Sequence, residues 1–144
     1  MLEKEFVLFE EALELKELGF DDKCILELWW LNGKDVTFGK RHTPTYEMNE
    51  QSSETLNFNY KIPKKHPLPK GHALTLLIPI YSQAFRWFRD KGYETFPKKT
   101  ENNEYYYIIE YGHWTFIMDD KYNSYEEAEL ACLKKLIQIV KEKQ

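Results

Sequence analysis

The sequence predicts an α+β fold: three helices packed on antiparallel hairpins, with the C-terminal half ordered α-β-β-β-α. Two observations carry this. Asn32-Gly33 and Gly112-His113 each separate two apolar runs, which is the signature of a β-hairpin. Helical periodicity is confined to 5–18, to 80–91 and to the residues after Ser124. At 144 residues, with 42% apolar and 31% charged side chains, the chain is expected to form one domain over 1–144.

The first helix is expected over 5–18. Leu8, Phe9, Ala12, Leu13 and Leu15 form its apolar face, and Glu10, Glu11, Glu14 and Glu17 occupy the remaining arc. Gly19 fits the left-handed position after the helix, and Phe20 is placed to fold back on the last turn. The runs 25–31 and 34–38 then pair across Asn32-Gly33, a register that sets Trp29 opposite Val36.

Residues 39–72 have no clear period and contain four prolines. Pro63, Pro67 and Pro69 favour an extended path over 61–70. Loops of this length inside compact domains are often functional. Tyr46, Leu56, Phe58 and Tyr60 suggest that part of the loop packs, as a short strand at 55–61.

Residues 73–78 predict a short buried strand. Pro79 opens a helix over about 80–91 with the stripe Tyr81, Ala84, Phe85 and Phe88, and Gly92 ends it. A strand follows at 93–97. Next come 105–111 and 114–118, joined by Gly112-His113. Glycine at the first turn position indicates a type II′ turn. That register sets Tyr111 opposite Trp114, Ile109 opposite Phe116 and Tyr107 opposite Met118, all on one face and all expected in the core. Tyr106, Ile108, Glu110, Thr115 and Ile117 take the other face. The last helix begins with the capping box Ser124-x-x-Glu127. Ala128, Cys132, Leu136, Ile139 and Val140 recur along it at helical spacing.

Net charge is −4, distributed as −6 over 1–33, +3 over 34–72, +3 over 73–100 and −4 over 101–144. No segment has the dense positive charge of a strong nucleic-acid binder. The two cysteines, Cys24 and Cys132, match no zinc or redox spacing. The start Met1-Leu2-Glu3-Lys4-Glu5 predicts no secretory leader. The longest apolar stretch, 76–81, is too short to span a bilayer. A cytoplasmic location with both thiols reduced is the expectation.

Candidate chemistry is sparse. His66 and His72 have no Cys, Asp or Glu nearby in sequence, so no metal site is expected. Cys24 is flanked by Asp21, Asp22 and Glu27, the wrong sign to activate a thiol. Cys132 lies on an apolar helical stripe and reads as a core residue. Asp119 and Asp120 precede Lys121 and a helix cap, so they read as a solvated turn. His113 sits at a hairpin turn and reads as solvated. There is no phosphate-binding glycine loop and no G-x-S-x-G. No catalytic residue and no cofactor are assigned, and the balance is against an enzyme.

Two patches remain as candidate partner contacts. One is the loop stretch with Lys61, Lys64, Lys65, His66, Lys70 and His72, whose plainer reading is a solvated loop. The other is Arg86, Trp87 and Arg89 on the second helix, where Trp87 is either core or an anchor for a partner.

The order helix, three strands, helix over 80–141 is shared by double-stranded-RNA-binding domains, which read RNA by shape and phosphate contacts. Those domains carry lysines at the start of their last helix. Glu126, Glu127 and Glu129 stand there instead, which disfavours RNA.

Three segments carry a further likeness. They are Glu11-Ala-Leu-Glu-Leu-Lys-Glu-Leu-Gly-Phe-Asp21, Pro79-Ile-Tyr-Ser-Gln-Ala-Phe-Arg-Trp-Phe-Arg-Asp90, and the stretch from Tyr122 to Ile137 containing Ser-Tyr-Glu-Glu-Ala-Glu-Leu-Ala-Cys-Leu-Lys-Lys-Leu-Ile. Together they resemble a group of small uncharacterised proteins from phages and Bacteroidetes-type bacteria. The resemblance implies a phage or mobile-element context and brings no activity, cofactor or site residue.

The functional expectation is therefore a non-enzymatic accessory protein that binds another protein. A nucleic-acid-binding module is the alternative. A nucleotide-binding or hydrolytic protein using the loop with His66 or His72 is weaker. No membrane partner is expected.

Overall fold

The computed structural model describes residues 2–24, 26–31, 35–40 and 74–144. The architecture is α+β with two antiparallel sheets. The chain divides into two compact units, Met1–Ile80 and Tyr81–Gln144. Among the described residues, no helix is long and apolar enough to cross a membrane.

In the first unit a 3-10 turn at Leu2–Glu5 precedes helix α1, Phe9–Glu17. The helix starts later than its periodicity predicts because tertiary pairing claims the preceding residues. Phe6 bridges Ile80, and the Val7 N–H donates to the Pro79 carbonyl at 2.9 Å. Both side chains are buried, and Leu8 is left extended at the helix cap with its side chain exposed. The C-terminus closes as expected. The Phe20 N–H donates to the Leu15 carbonyl and the Gly19 N–H to the Lys16 carbonyl, the paired bonds of a Schellman motif. Phe9, Ala12 and Leu15 are buried. Glu11, expected on the solvated arc, is only 3% exposed, because its position adjoins Ala12 and Leu15 on the packed face.

Strand β1 (Leu26–Leu31) lies between β2 (Asp35–Lys40) and β3 (Leu74–Ile78), antiparallel to both. The first hairpin is shifted by one residue from the expected register. Trp30, not Trp29, pairs with Val36, and the last pair is Leu31 with Asp35. Three residues therefore separate the paired ends, the next commonest hairpin length after two. β2 extends to Lys40, so the start of the segment read as irregular belongs to a strand. The rest of that segment, including the expected strand at 55–61, lies outside the described residues.

The second unit realises the expected order. Helix α2 (Tyr81–Asp90) is followed by β4 (Tyr93–Lys99), β5 (Tyr105–Tyr111), β6 (Trp114–Ile117) and helix α3 (Tyr125–Lys143). The sheet order is β4-β5-β6. Tyr111 pairs with Trp114 and Ile109 with Phe116, and the Met118 N–H donates to the Tyr107 carbonyl, as the two-residue turn requires. Gly112 has φ +59 and His113 does not enter the positive-φ region, which is the type II′ pattern. The β4–β5 connection closes differently. The Asn103 N–H donates to the Thr100 carbonyl, and Asn103 takes φ +62, a left-handed position that asparagine tolerates.

Both helices cover one face of this sheet. Phe85 of α2 stacks on Tyr107 at 5.8 Å, and Tyr125 of α3 packs against the same ring at 6.0 Å. Tyr93, Tyr107, Ile109 and Met118 are buried beneath them, with Ala84 and Phe88 from α2 and Ala128, Cys132, Leu133, Leu136 and Ile137 from α3. Each large apolar side chain fully buried there contributes about 1.5–3 kcal/mol. Ser124 caps α3 by accepting from the Glu127 N–H at 3.2 Å. Neither helix of this unit packs on the opposite face.

Gly92 joins α2 to β4 with φ +98, and a Cβ there would stand 3.1 Å from Tyr111 Cε2. We expect Gly92→Ala to destabilise the protein by about 1–2 kcal/mol or more, from the left-handed backbone penalty alone. Urea denaturation followed by circular dichroism is the measurement. An unchanged midpoint would show that this junction relaxes freely.

Candidate functional site

A strand sends alternate side chains to opposite faces, so the register of β4-β5-β6 assigns every residue a side. One face carries Tyr93, Tyr107 and Ile109 under the helices. The other carries Phe96, Ile108 and Ile117, which the pairing Phe96↔Ile108 and Ile108↔Ile117 sets side by side across all three strands. Phe96 is 39% exposed, Ile117 is 55% exposed and Ile108 is half-buried. Scattered exposed apolar residues are ordinary, but an aligned row is a contiguous patch.

Charged rows flank this strip. Glu94 pairs with Glu110, and Glu110 with Thr115, on one side. Lys98 pairs with Tyr106 on the other, where Lys121 places its Nζ 4.1 Å above the Tyr106 ring. The same ammonium donates to the Met118 carbonyl at 3.0 Å, which fixes its position beside the sheet. Over β4 and β5 the surface thus reads acid, apolar, basic along the strand direction.

The turn end of the helix-covered face differs from expectation. Tyr107, Ile109 and Met118 are core, but Tyr111 is 38% exposed and Trp114 44% exposed, with Phe116 half-buried. The helix reaches this end with lysines. Lys143 sets its Nζ 3.9 Å over Tyr111, and Lys135 4.7 Å over Phe116. Lysine stems cover apolar surface while their heads stay wet, so these rings are shielded in part and remain in reach of solvent. Tyr93 stacks on Tyr111 at 4.4 Å and Trp114 on Phe116 at 6.0 Å.

At the other end of the sheet the Tyr107 hydroxyl donates to the Tyr125 hydroxyl at 2.8 Å. Burial, with that bond, holds the Tyr107 phenol well above its ordinary range. It is a packed, satisfied group and has no role as an acid or base near neutrality.

Of the contact residues named from sequence, Lys61, Lys64, Lys65, His66, Lys70 and His72 lie outside the described residues. Arg86 and Arg89 are exposed on α2. Trp87 is not on the exposed side. It is 8% exposed, with Phe88 edge-on at 5.0 Å and Lys91 Nζ 4.4 Å over its ring. It follows Ala84 by three residues, so it widens the packed stripe. His113, Asp119 and Asp120 are exposed. Cys24 is buried and its thiol donates to the Asp22 carbonyl at 3.3 Å.

Sequence reading overlooked Phe96. Its signal is its pairing partner, since Ile108 and Ile117 already stood on the second face and Phe96 completes the row only once β4 is in register. Compared with protein-family models, curated proteins and solved structures, the chain matches none.

Cys132 is fully buried, and burial, with a smaller contribution from Glu129, pushes its thiol up well beyond the usual range. The folded chain therefore keeps a proton that the unfolded chain releases above about pH 8.5. The linked stability is fully present below that pH and is lost progressively as pH rises above it toward the raised range of the folded thiol. We expect the decline in stability between about pH 8.5 and 10 to be shallower in Cys132→Ala than in the wild type. Urea midpoints across that range measure it, and parallel profiles would contradict the assignment.

Proposed function

We propose that the protein is a non-enzymatic accessory factor that works by binding another protein, in the phage or mobile-element context its three sequence motifs suggest. The docking surface is the open face of β4-β5-β6. The carrying observation is the aligned row Phe96, Ile108 and Ile117, flanked by charge and left uncovered by either helix of its unit. An apolar centre with a polar rim is the usual composition of a protein interface. Because Ile117 is more than half exposed, Ile117→Asp should leave the fold intact. We expect a photo-crosslinker placed at Phe96 to capture a discrete protein, and Ile117→Asp to reduce that capture at least about tenfold. Leu8→Asp, on the other unit, should not. Equal capture by wild type and Ile117→Asp, with unchanged circular dichroism, would overturn the reading.

Nucleic-acid binding is a second reading with one feature in its favour. Tyr111, Trp114 and Phe116 stand with Lys135 and Lys143 at the hairpin end. Aromatic faces among lysines are the chemistry of single-strand binding. The acids Glu126 and Glu127 in the first turn of α3 oppose it. This reading expects salt-sensitive binding of a single-stranded oligonucleotide that Trp114→Ala weakens about tenfold. No shift at low salt removes it.

A further inference from the structure

We propose that the open face of β4-β5-β6 docks a second copy of the same chain, with the two-fold axis lying along the apolar row Phe96, Ile108 and Ile117. This rests on reading that face as a protein-docking surface and names its occupant. The argument is the symmetry of the charges.

Two sheets stacked face to face by a two-fold axis have two limiting arrangements. With the axis along the row, each strand lies over its own image and the flanking rows exchange. Glu94 then meets Lys98 of the second copy. Glu110 meets Tyr106 with the Lys121 ammonium seated on it, 4.1 Å from its ring. Thr115 meets Asp119, which stands two residues beyond Ile117 in the same column. Glu94, Glu110, Thr115, Lys98, Asp119 and Lys121 are all exposed. The apolar row meets itself, so Phe96, Ile108 and Ile117 bury against their own images.

With the axis along the strands, rows keep their places and the outer columns exchange. Glu110 then meets Glu110, and Lys121 meets Lys121, at the centre of the contact, while at the outer strands Lys98 meets Asp119. Like charges set directly opposite are unfavourable, and like-charge juxtaposition across an interface suppresses the wrong pairing. The face is therefore better matched to itself in the first orientation, where the charges at the centre meet opposite charges, than in the second, where they meet like charges. An isologous interface requires this kind of self-complementarity.

The edges favour face-to-face over edge-to-edge assembly. β4, one edge of the sheet, contains Pro97, Lys98 and Lys99. Proline and lysine on an edge strand block the addition of a further strand. The other edge, β6, is four residues long.

The footprint sets the strength. Three strands about 4.8 Å apart and about 20 Å long cover roughly 300 Å² on each copy. A standard interface buries about 800 Å² on each side. The footprint is less than half of that, so the dimer is expected to be weak, populated at high protein concentration and sensitive to salt.

Sedimentation of the full chain from about 10 µM to about 0.5 mM tests this. We expect the weight-average mass to rise toward the dimer at low salt and to fall back at about 0.5 M salt. Ile117→Lys should abolish the rise. Glu94→Lys and Lys98→Glu should each weaken it about tenfold, and the double variant should recover it, because the exchanged charges still meet across the axis. A wild type that stays monomeric over the whole range overturns the proposal. So does a double variant no better than its singles. If the wild type is monomeric yet Ile117→Asp still loses the cross-linked partner, only the occupant was misassigned. If capture is also indifferent to that change, the docking reading falls as well.

Discussion

Both helices of the second unit pack on the same side of its three-stranded sheet. That constraint organises the second unit. Tyr107 and Ile109 on β5 sit at the centre of the covered side, and both are buried. β5 is also the middle strand, paired on both edges. Phe85 of α2 and Tyr125 of α3 both pack against the Tyr107 ring. The same arrangement leaves Phe96, Ile108 and Ile117 facing away from the helices. The open row is the geometric complement of the core and arises from the same alternation.

Local chemistry holds the pieces around that strand. Gly112 lets the β5–β6 turn reach positive φ, which sets the register that aligns Ile108 with Ile117. Ser124 starts α3 where its buried stripe can descend onto β5. Gly92, at φ +98, leaves room for the Tyr111 ring on which Tyr93 stacks. Lysines finish the aromatic end, with Lys143 on Tyr111 and Lys135 on Phe116. Contacts of this kind contribute about 0.5–1 kcal/mol each at exposed sites. The unit is thus closed by polar stems where apolar side chains run out.

The first unit follows a different rule, in which long-range pairing overrides local preference. The segment 5–8 has helical periodicity, yet Phe6 bridges Ile80 and Val7 bonds to Pro79. Two buried apolar side chains and a backbone bond outweigh the weak advantage of one more helical turn. The first hairpin makes the same point. Asn32-Gly33 favours a two-residue turn, but β1 lies between two partners and its pairing with β2 leaves three residues between the strand ends.

Much of the fold was legible because its determinants are local. The type II′ turn at Gly112, the Ser124 cap, the Schellman end at Gly19 and the α-β-β-β-α order each depend on a few adjacent residues with special backbone or hydrogen-bonding properties. The candidate site was half legible, since Ile108 and Ile117 fell on one face by alternation alone. Tertiary structure decided the rest. Phe96 joined the row through its pairing with Ile108, Trp87 went inside beside Phe88, Glu11 was buried, and Tyr111 and Trp114 stayed partly exposed. The physical reason is the same in each case. A sequence sets which side of its own element a residue occupies, but exposure depends on what arrives from elsewhere to cover that side, and helix length, strand register and sheet order settle that only after the chain has folded.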